Sequence, residues 1–199
     1  ALSQIDGYKA TFAQLHVSLI PLTVELGGLE VHEQPVKESA TPILQCAVMK
    51  TRLYWRELLR ANWVNDTALH RLRIHWTLTS APEIEVREKV EKLREVSPVK
   101  QPNQLAAYLR SVPPFKIDSL LVTDSEVVIT DKTPRALPTL RLSNIRLTAQ
   151  NFTNRARLNE GLPAKLDMRA LLQNSGRLGI TAKMDPLAKP VHFSTTLDL

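Results

Sequence analysis

One spacing of apolar residues limits the folds open to this chain more than any other feature. In Val24-Glu25-Leu26-Gly27-Gly28-Leu29-Glu30-Val31 the apolar positions alternate, slip by one at the glycines, then alternate again with the opposite parity. The same apolar-x-apolar-x-x-apolar-x-apolar pattern recurs at Ala10/Phe12/Leu15/Val17 and at Thr67/Leu69/Leu72/Ile74. It recurs again at Phe115/Ile117/Leu120/Val122 and at Leu140/Leu142/Ile145/Leu147. A helix needs apolar residues at i, i+3, i+4 and i+7, and an unbroken strand keeps one parity. A one-residue bulge satisfies the spacing, because the extra residue returns the second half to the face of the first. A tight turn between two very short strands is the alternative, and it suits Gly27-Gly28 better than Asp118-Ser119 or Ser143-Asn144. Repeated bulges add twist and bend, so the expected product is a curved β-surface with an apolar inner face.

Period-two alternation covers most of the remaining chain. Strands are expected at about 9–20, 23–33, 43–54, 67–79, 115–123, 125–131, 139–150, 163–173, 177–185 and 190–199. Short connections such as Thr123-Asp124-Ser125 and Asn174-Ser175-Gly176 favour antiparallel meanders. Helical signal is concentrated in 80–112. There Ser80-Ala81-Pro82-Glu83 has capping-box spacing, and Val86, Val90 and Leu93 form one apolar stripe. Asn103 can cap a second helix bearing Leu105, Tyr108, Leu109 and Val112, and Trp55–Arg60 reads as a third short helix. The mixed charges on 83–95 suit packing against the sheet better than a membrane-surface role. The expected fold is α+β, predominantly β: one long, strongly twisted and curved antiparallel sheet, groove-like, with two or three short helices. Residues 1–199 read as one module, with 80–112 a helical insert between two β-halves.

The charges agree with a two-sided sheet. Arg141 and Arg146 oppose Leu140, Leu142, Ile145 and Leu147. Lys165 and Arg169 oppose Leu166, Met168 and Ala170, while Arg177 and Lys183 oppose Leu178, Ile180, Ala182 and Met184. The formal net charge is +6, and the excess lies beyond residue 100, with 13 Lys/Arg against 8 Asp/Glu. A basic face of this kind suits an anionic partner: lipid headgroups, nucleic acid or an acidic protein. The apolar face is either a core covered by the helices or an open surface. Its candidate lining is Phe12, Leu15, Val17, Val24, Leu26, Leu29, Val31, Leu72, Ile74, Phe115, Ile117, Leu120, Val122, Leu140, Leu142, Ile145 and Leu147.

No catalytic arrangement is evident. The single cysteine, Cys46, excludes an intrachain disulfide and a cysteine-based zinc site, and it reads as a buried structural thiol. His16, His32, His70, His75 and His192 lie singly in strand contexts. His70 and His75, five apart, should point to opposite faces unless a bulge intervenes. The chain has no phosphate-cradling glycine loop and no nucleophile elbow. Asp124 and Asp131 read as turn residues flanking a strand. Three tyrosines and four phenylalanines do not make the stacking platform of a single-strand nucleic-acid binder. No apolar run is long enough to span a bilayer. The chain begins without Met and closes on an alternating segment, Val191–Leu199, so it is expected to be a piece of a longer protein.

Several motifs in order carry a resemblance. Ala1–Tyr8 leads into Phe12-Ala13-Gln14-Leu15-His16-Val17, Pro21 and Gly27-Gly28-Leu29. Phe115–Leu120 and Val127–Asp131 follow, then Gly161-Leu162-Pro163-Ala164, Ser175–Ile180 and Asp185-Pro186. This set resembles the AsmA-like and TamB-related envelope proteins of Gram-negative bacteria, in the large branch carrying a domain of unknown function. The resemblance implies an inner-membrane anchor before Ala1, further β-repeats after Leu199, and a periplasmic location. It also implies an apolar β-groove that binds or moves phospholipid toward the outer membrane, with acyl chains, the membrane and other envelope proteins as partners. It carries no catalytic residue, cofactor or metal, and nucleic acid is not expected. A structural or protein-interaction scaffold of the envelope, with the sheet closed over a core, is the other reading.

Overall fold

A computed structural model describes residues 8–33, 41–78, 113–132, 138–158, 162–185 and 192–198. These form a single ten-stranded sheet. The strands are β1 (Tyr8–Thr11), β2 (Gln14–Leu19), β3 (Leu22–Glu33), β4 (Leu44–Leu53), β5 (Trp63–Leu78), β6 (Phe115–Asp131), β7 (Leu140–Thr153), β8 (Ala164–Leu172), β9 (Gly176–Asp185) and β10 (His192–Asp198). A four-residue helix α1 (Trp55–Leu58) and a three-residue 3-10 turn (Ala156–Leu158) complete the described elements. From β3 onward the spatial order follows the chain order, with β1 and β2 both on the outer side of β3. The chain is therefore β-rich as expected. The helical insert expected over 80–112 lies outside the described residues, and among the described residues helix is confined to α1 and the 3-10 turn.

The repeated spacing corresponds to a crease that crosses the sheet. Thr11 pairs with Glu30 and Gln14 with Gly27, so β1 and β2 are one line of pairing interrupted at Phe12-Ala13. That interruption lies opposite Gly28, which has φ +64°. Leu29 pairs with Cys46 and Gly27 with Val48, placing Gly28 opposite Ala47. Continuing the same row, Ala47 faces Arg71 (φ 53°), and Arg71 lies abreast of Asp124 (φ 52°). Asn144 (φ 50°) takes up the crease in β7, beside Ile145, which pairs with Ser125. In β3 to β5 the bulge reading needs correction, because no strand has an extra residue against its neighbour. Each inserts its own left-handed or irregular residue at the same level, so the register stays continuous. True two-against-one shifts appear only further on, between Val122 and Val127 in β6 and between Ser143 and Arg146 in β7. The Phe115–Val122 repeat marks a separate shift at Asn65/Asp66, with Asn151 (φ 59°) opposite Asp118 in β7.

Side chains of Cys46 and Ser125 repair the backbone at the crease. Leu72 N–H donates to Ser125 Oγ at 3.0 Å, and Ser125 O–H donates to the Thr123 carbonyl at 2.8 Å. Cys46 Sγ lies 3.3 Å from the Val48 carbonyl and 3.7 Å from that of His70. Both residues are buried, as an interrupted ladder requires of groups that take over its hydrogen bonds. Ser125 also explains a further correction. Thr123-Asp124-Ser125, expected to connect two strands, is the crease inside the single 17-residue β6.

The connectivity departs from a pure meander at one pair. β5 and β6 run parallel, with Trp63 beside Phe115 and Leu78 beside Asp131, whereas all other pairings are antiparallel. Parallel neighbours need a long crossover, and the 79–114 connection supplies the length. β5 also begins at Trp63, four residues before the expected start, because the short α1 turns the chain back early.

Substitution at Gly28 tests the crease. A Cβ there meets Ala13 Cβ at 3.1 Å on a backbone of φ +64°. Gly28→Val is expected to cost about 1–2 kcal/mol in urea unfolding. Arg71→Gly, which relieves a left-handed non-glycine residue, is expected to be neutral or stabilising by up to about 1 kcal/mol. Equal losses from both substitutions would show that the left-handed row does not govern stability.

Candidate functional site

The register assigns each side chain to a face. One face carries Leu15 and Val17 of β2, Val24, Leu26, Leu29 and Val31 of β3, and Leu44, Cys46 and Met49 of β4. It continues through Leu69, Leu72 and Ile74 to Phe115, Ile117, Leu120, Val122, Val127 and Ile129. Leu140, Leu142, Ile145, Leu147 and Phe152 follow on β7, then Leu166, Met168 and Ala170 on β8 and Leu178, Ile180 and Met184 on β9. The candidate lining residues on strands thus share one face, and Phe12 sits in the interruption between β1 and β2. Sequence reasoning missed two crease positions, Cys46/Met49 and Val122/Ser125. Their spacing is the same, but a cysteine and a serine stand where the pattern calls for an aliphatic residue.

Among the described residues little lies over this face. Only Leu22, Cys46, Val122, Ile145, Ala164 and Ala170 are buried among the described apolar residues, and most others on the face are half-exposed. The principal contacts between elements join sheet neighbours, with α1 against β5 in addition. Thr51, Asn65 and Thr67 interrupt the apolar surface with a hydrogen-bonded polar spot: the Thr51 and Thr67 hydroxyls lie 3.2 Å apart, and Thr67 donates to Asn65 Oδ1 at 3.1 Å.

The opposite face is charged. Arg141, Arg146, Lys165, Arg169, Arg177 and Lys183 all lie on it and are exposed. Arg146 is paired directly with Arg169 and Lys165 with Lys183, like-charge neighbours that an antiparallel ladder tolerates at a cost. Acids accompany the cations: Arg141 bonds Glu126, and Lys50 lies 3.7 Å from Glu25. The surface is thus charge-mixed over β3–β6 and basic over β7–β9.

A polar cleft of about 450 Å³ opens at the end of the sheet where β5 and β6 begin, lined by Tyr54, Glu57, Arg60, Asn62, Lys116, Asp118 and Arg157 among others. Its side chains largely satisfy one another. Tyr54 O–H donates to Asp66 at 2.6 Å, Asn62 donates to Glu57 at 2.9 Å, and Arg157 donates to Asn62 Oδ1 at 3.1 Å. Lys116 Nζ lies 2.7 Å from Asp118. Beneath it, buried Asn154 accepts from Phe115 N–H and donates to the Pro113 carbonyl, while Thr153 donates to the Phe115 carbonyl. The network fixes where β6 starts alongside β5. The Asp66 hydrogen bond, followed by burial, pushes the Tyr54 phenol up to about 12, and the Asn62 hydrogen bond draws the Glu57 carboxyl down.

Among the described residues the histidine side chains do not converge. His70 and His75 share the charged face, not opposite faces, because the crease at Arg71 restores parity between them. His70 Nδ1 is 2.7 Å from Thr123 Oγ1, and His75 Nδ1 is 3.3 Å from the Pro42 carbonyl. Among the described residues no three His, Cys, Asp or Glu side chains are placed to hold a metal ion. Cys46 has its thiol pKa raised by burial. Asp124 lies within β6 and not in a turn, while Asp131 ends the strand. No helix among the described residues is long and apolar enough to cross a membrane. The chain matches no protein-family model, and a search of curated proteins returns no match.

The Tyr54–Asp66 bond sets a pH signature. The phenol is protonated more tightly in the folded chain than in the unfolded one, so its stabilisation is complete below pH 10 and lost as pH rises through 12. Ultraviolet titration should show one tyrosine ionising about two units late, and Tyr54→Phe should remove that step. Stability below pH 10 should fall by about 1 kcal/mol in the same variant. Three tyrosines titrating together would contradict the assignment.

Proposed function

We propose that this chain is a non-enzymatic module whose apolar sheet face shields phospholipid acyl chains from water. The observation that carries the reading is the apolar face itself, which continues from β2 to β9 with no second layer over it among the described residues. Each methylene left in water costs about 0.8 kcal/mol, so moving an acyl chain through an aqueous space needs a continuous apolar track of this kind. The burial of Val122 and Ile145 beside the crease supports a coiled sheet, and so a groove-like track. The placement in a Gram-negative envelope, between inner and outer membranes, rests on the resemblance to AsmA-like and TamB-related proteins. A closed envelope scaffold draws on the polar spot at Thr51, Asn65 and Thr67, which interrupts the track.

The test is mass spectrometry of lipid recovered with the purified chain, together with photo-probes at Leu26, Ile117 and Leu142. Lipid cross-links are expected at these positions and not at Glu25 or Gln150 on the charged face. Leu26→Glu combined with Leu147→Glu should lower bound lipid at least about tenfold, since a carboxylate against an acyl chain costs more than about 1.4 kcal/mol. Recovery without lipid and without cross-links would leave the scaffold reading.

A further inference from the structure

The end of the sheet at which β2 turns into β3 collects large apolar side chains that have no core to fill. Ile20, in that turn, is 91% exposed, and Leu59, just after α1, is 84% exposed. Leu19, Trp55 and Trp63 are exposed as well. The topology gathers them: Thr23 pairs with Arg52 and Leu53 with Asn65, so the β2–β3 turn, α1 and the start of β5 share one end. Trp55 Nε1 donates to the Leu19 carbonyl at 2.8 Å, tying α1 to the turn. No residue of α1 is buried, so its Trp and Leu side chains do not serve a core. A single exposed leucine is ordinary, whereas five large apolar side chains at one end form a patch that calls for a partner.

Three features of the patch select a lipid surface over a protein. Tryptophan, with an apolar ring and one N–H donor, is the side chain favoured at the water–lipid boundary. Arg56, on α1, is exposed, and the adjacent acid, Glu57, is already paired with Arg60 and bonded by Asn62. The local charge therefore complements anionic headgroups. The pairs Leu19/Leu22, Val17/Val24 and Leu15/Leu26 also lead from the patch directly onto the apolar face.

We propose that this end of the sheet inserts into the interface of an anionic bilayer. Ile20, Leu19, Leu59 and the two tryptophans enter the headgroup–acyl boundary, and Arg56 meets lipid phosphates. Inserted this way, the patch joins the membrane's acyl region to the start of the apolar track. That second step rests on the acyl-shielding reading above, whereas the insertion does not.

The experiment is flotation of the 199-residue chain with vesicles of phosphatidylethanolamine and phosphatidylglycerol. The unaltered chain should float with the vesicles, less so at high salt. Ile20→Asp with Leu59→Asp should reduce flotation roughly tenfold or more. Both positions are exposed, so strand content by circular dichroism should be unchanged; Ile20→Ser alone serves as a milder variant and should lose flotation in part. In a Trp76→Phe background, acyl-brominated lipids should quench Trp55 and Trp63 fluorescence. Lost flotation with co-purified lipid retained supports insertion and leaves the acyl-shielding reading intact. Tip-dependent flotation by a chain that carries no lipid supports insertion and removes that reading. Undiminished flotation by the Asp variants without quenching overturns insertion, whatever the apolar face binds. Tip-dependent self-association in place of flotation also overturns it, making a second copy of the chain the occupant.

Discussion

The structure depends on a constraint of backbone parity. A strand with one uninterrupted alternation presents one set of side chains to one side along its whole length. Here the apolar set changes parity partway along, so the backbone must change with it or the face would break in two. Gly28, Arg71, Asp124 and Asn144 make that change by adopting left-handed conformations at nearly one level. Because neighbouring strands slip together, the ladders of β3, β4 and β5 stay in register on both sides of the crease. The arrangement spends a few kcal/mol of conformational strain on three non-glycine residues, in return for keeping the apolar side chains of both strand halves on one face.

Much of this was legible from residue spacing, and the failures have definite causes. The parity slip was visible wherever aliphatic residues flank it, as at Leu26/Leu29 and Leu142/Ile145. It was hidden where the flanking residue had a second task. Ser125 and Cys46 stand at apolar positions because the interrupted ladder needs polar atoms there, to serve Leu72 N–H and the carbonyls of Val48 and His70. Asp124 looked like a turn residue for a sound reason: aspartate tolerates the left-handed region that turns use, and the crease uses the same region within a strand. The parallel β5–β6 pair was not legible, since alternation within a strand carries no mark of its neighbour's direction. Membership of the apolar and basic faces could be read, because period two alone decides it.

The polar cleft shows what that parallel pair requires. Antiparallel neighbours are joined by short turns that set their register, whereas β6 arrives beside β5 after a long excursion. Its starting level is set by Asn154 and Thr153, which hold Pro113 and Phe115 from the β7 side. Tyr54, Asp66, Asn62 and Glu57 brace the β5 side of the same end. The cleft therefore belongs to the architecture, since its charges bond one another and set where β6 begins.

A sheet whose elements touch mainly their immediate neighbours has an unusual energetic form. With no shared interior among the described residues, their stability is approximately a sum over strands and the interfaces between adjacent strands, as in a linear array. Losing an inner strand removes two interfaces, while losing β10 removes one. Free energy is therefore graded along the chain, and cooperativity reaches only as far as neighbouring ladders couple. The edges can loosen and re-form while β4 to β7 remain intact.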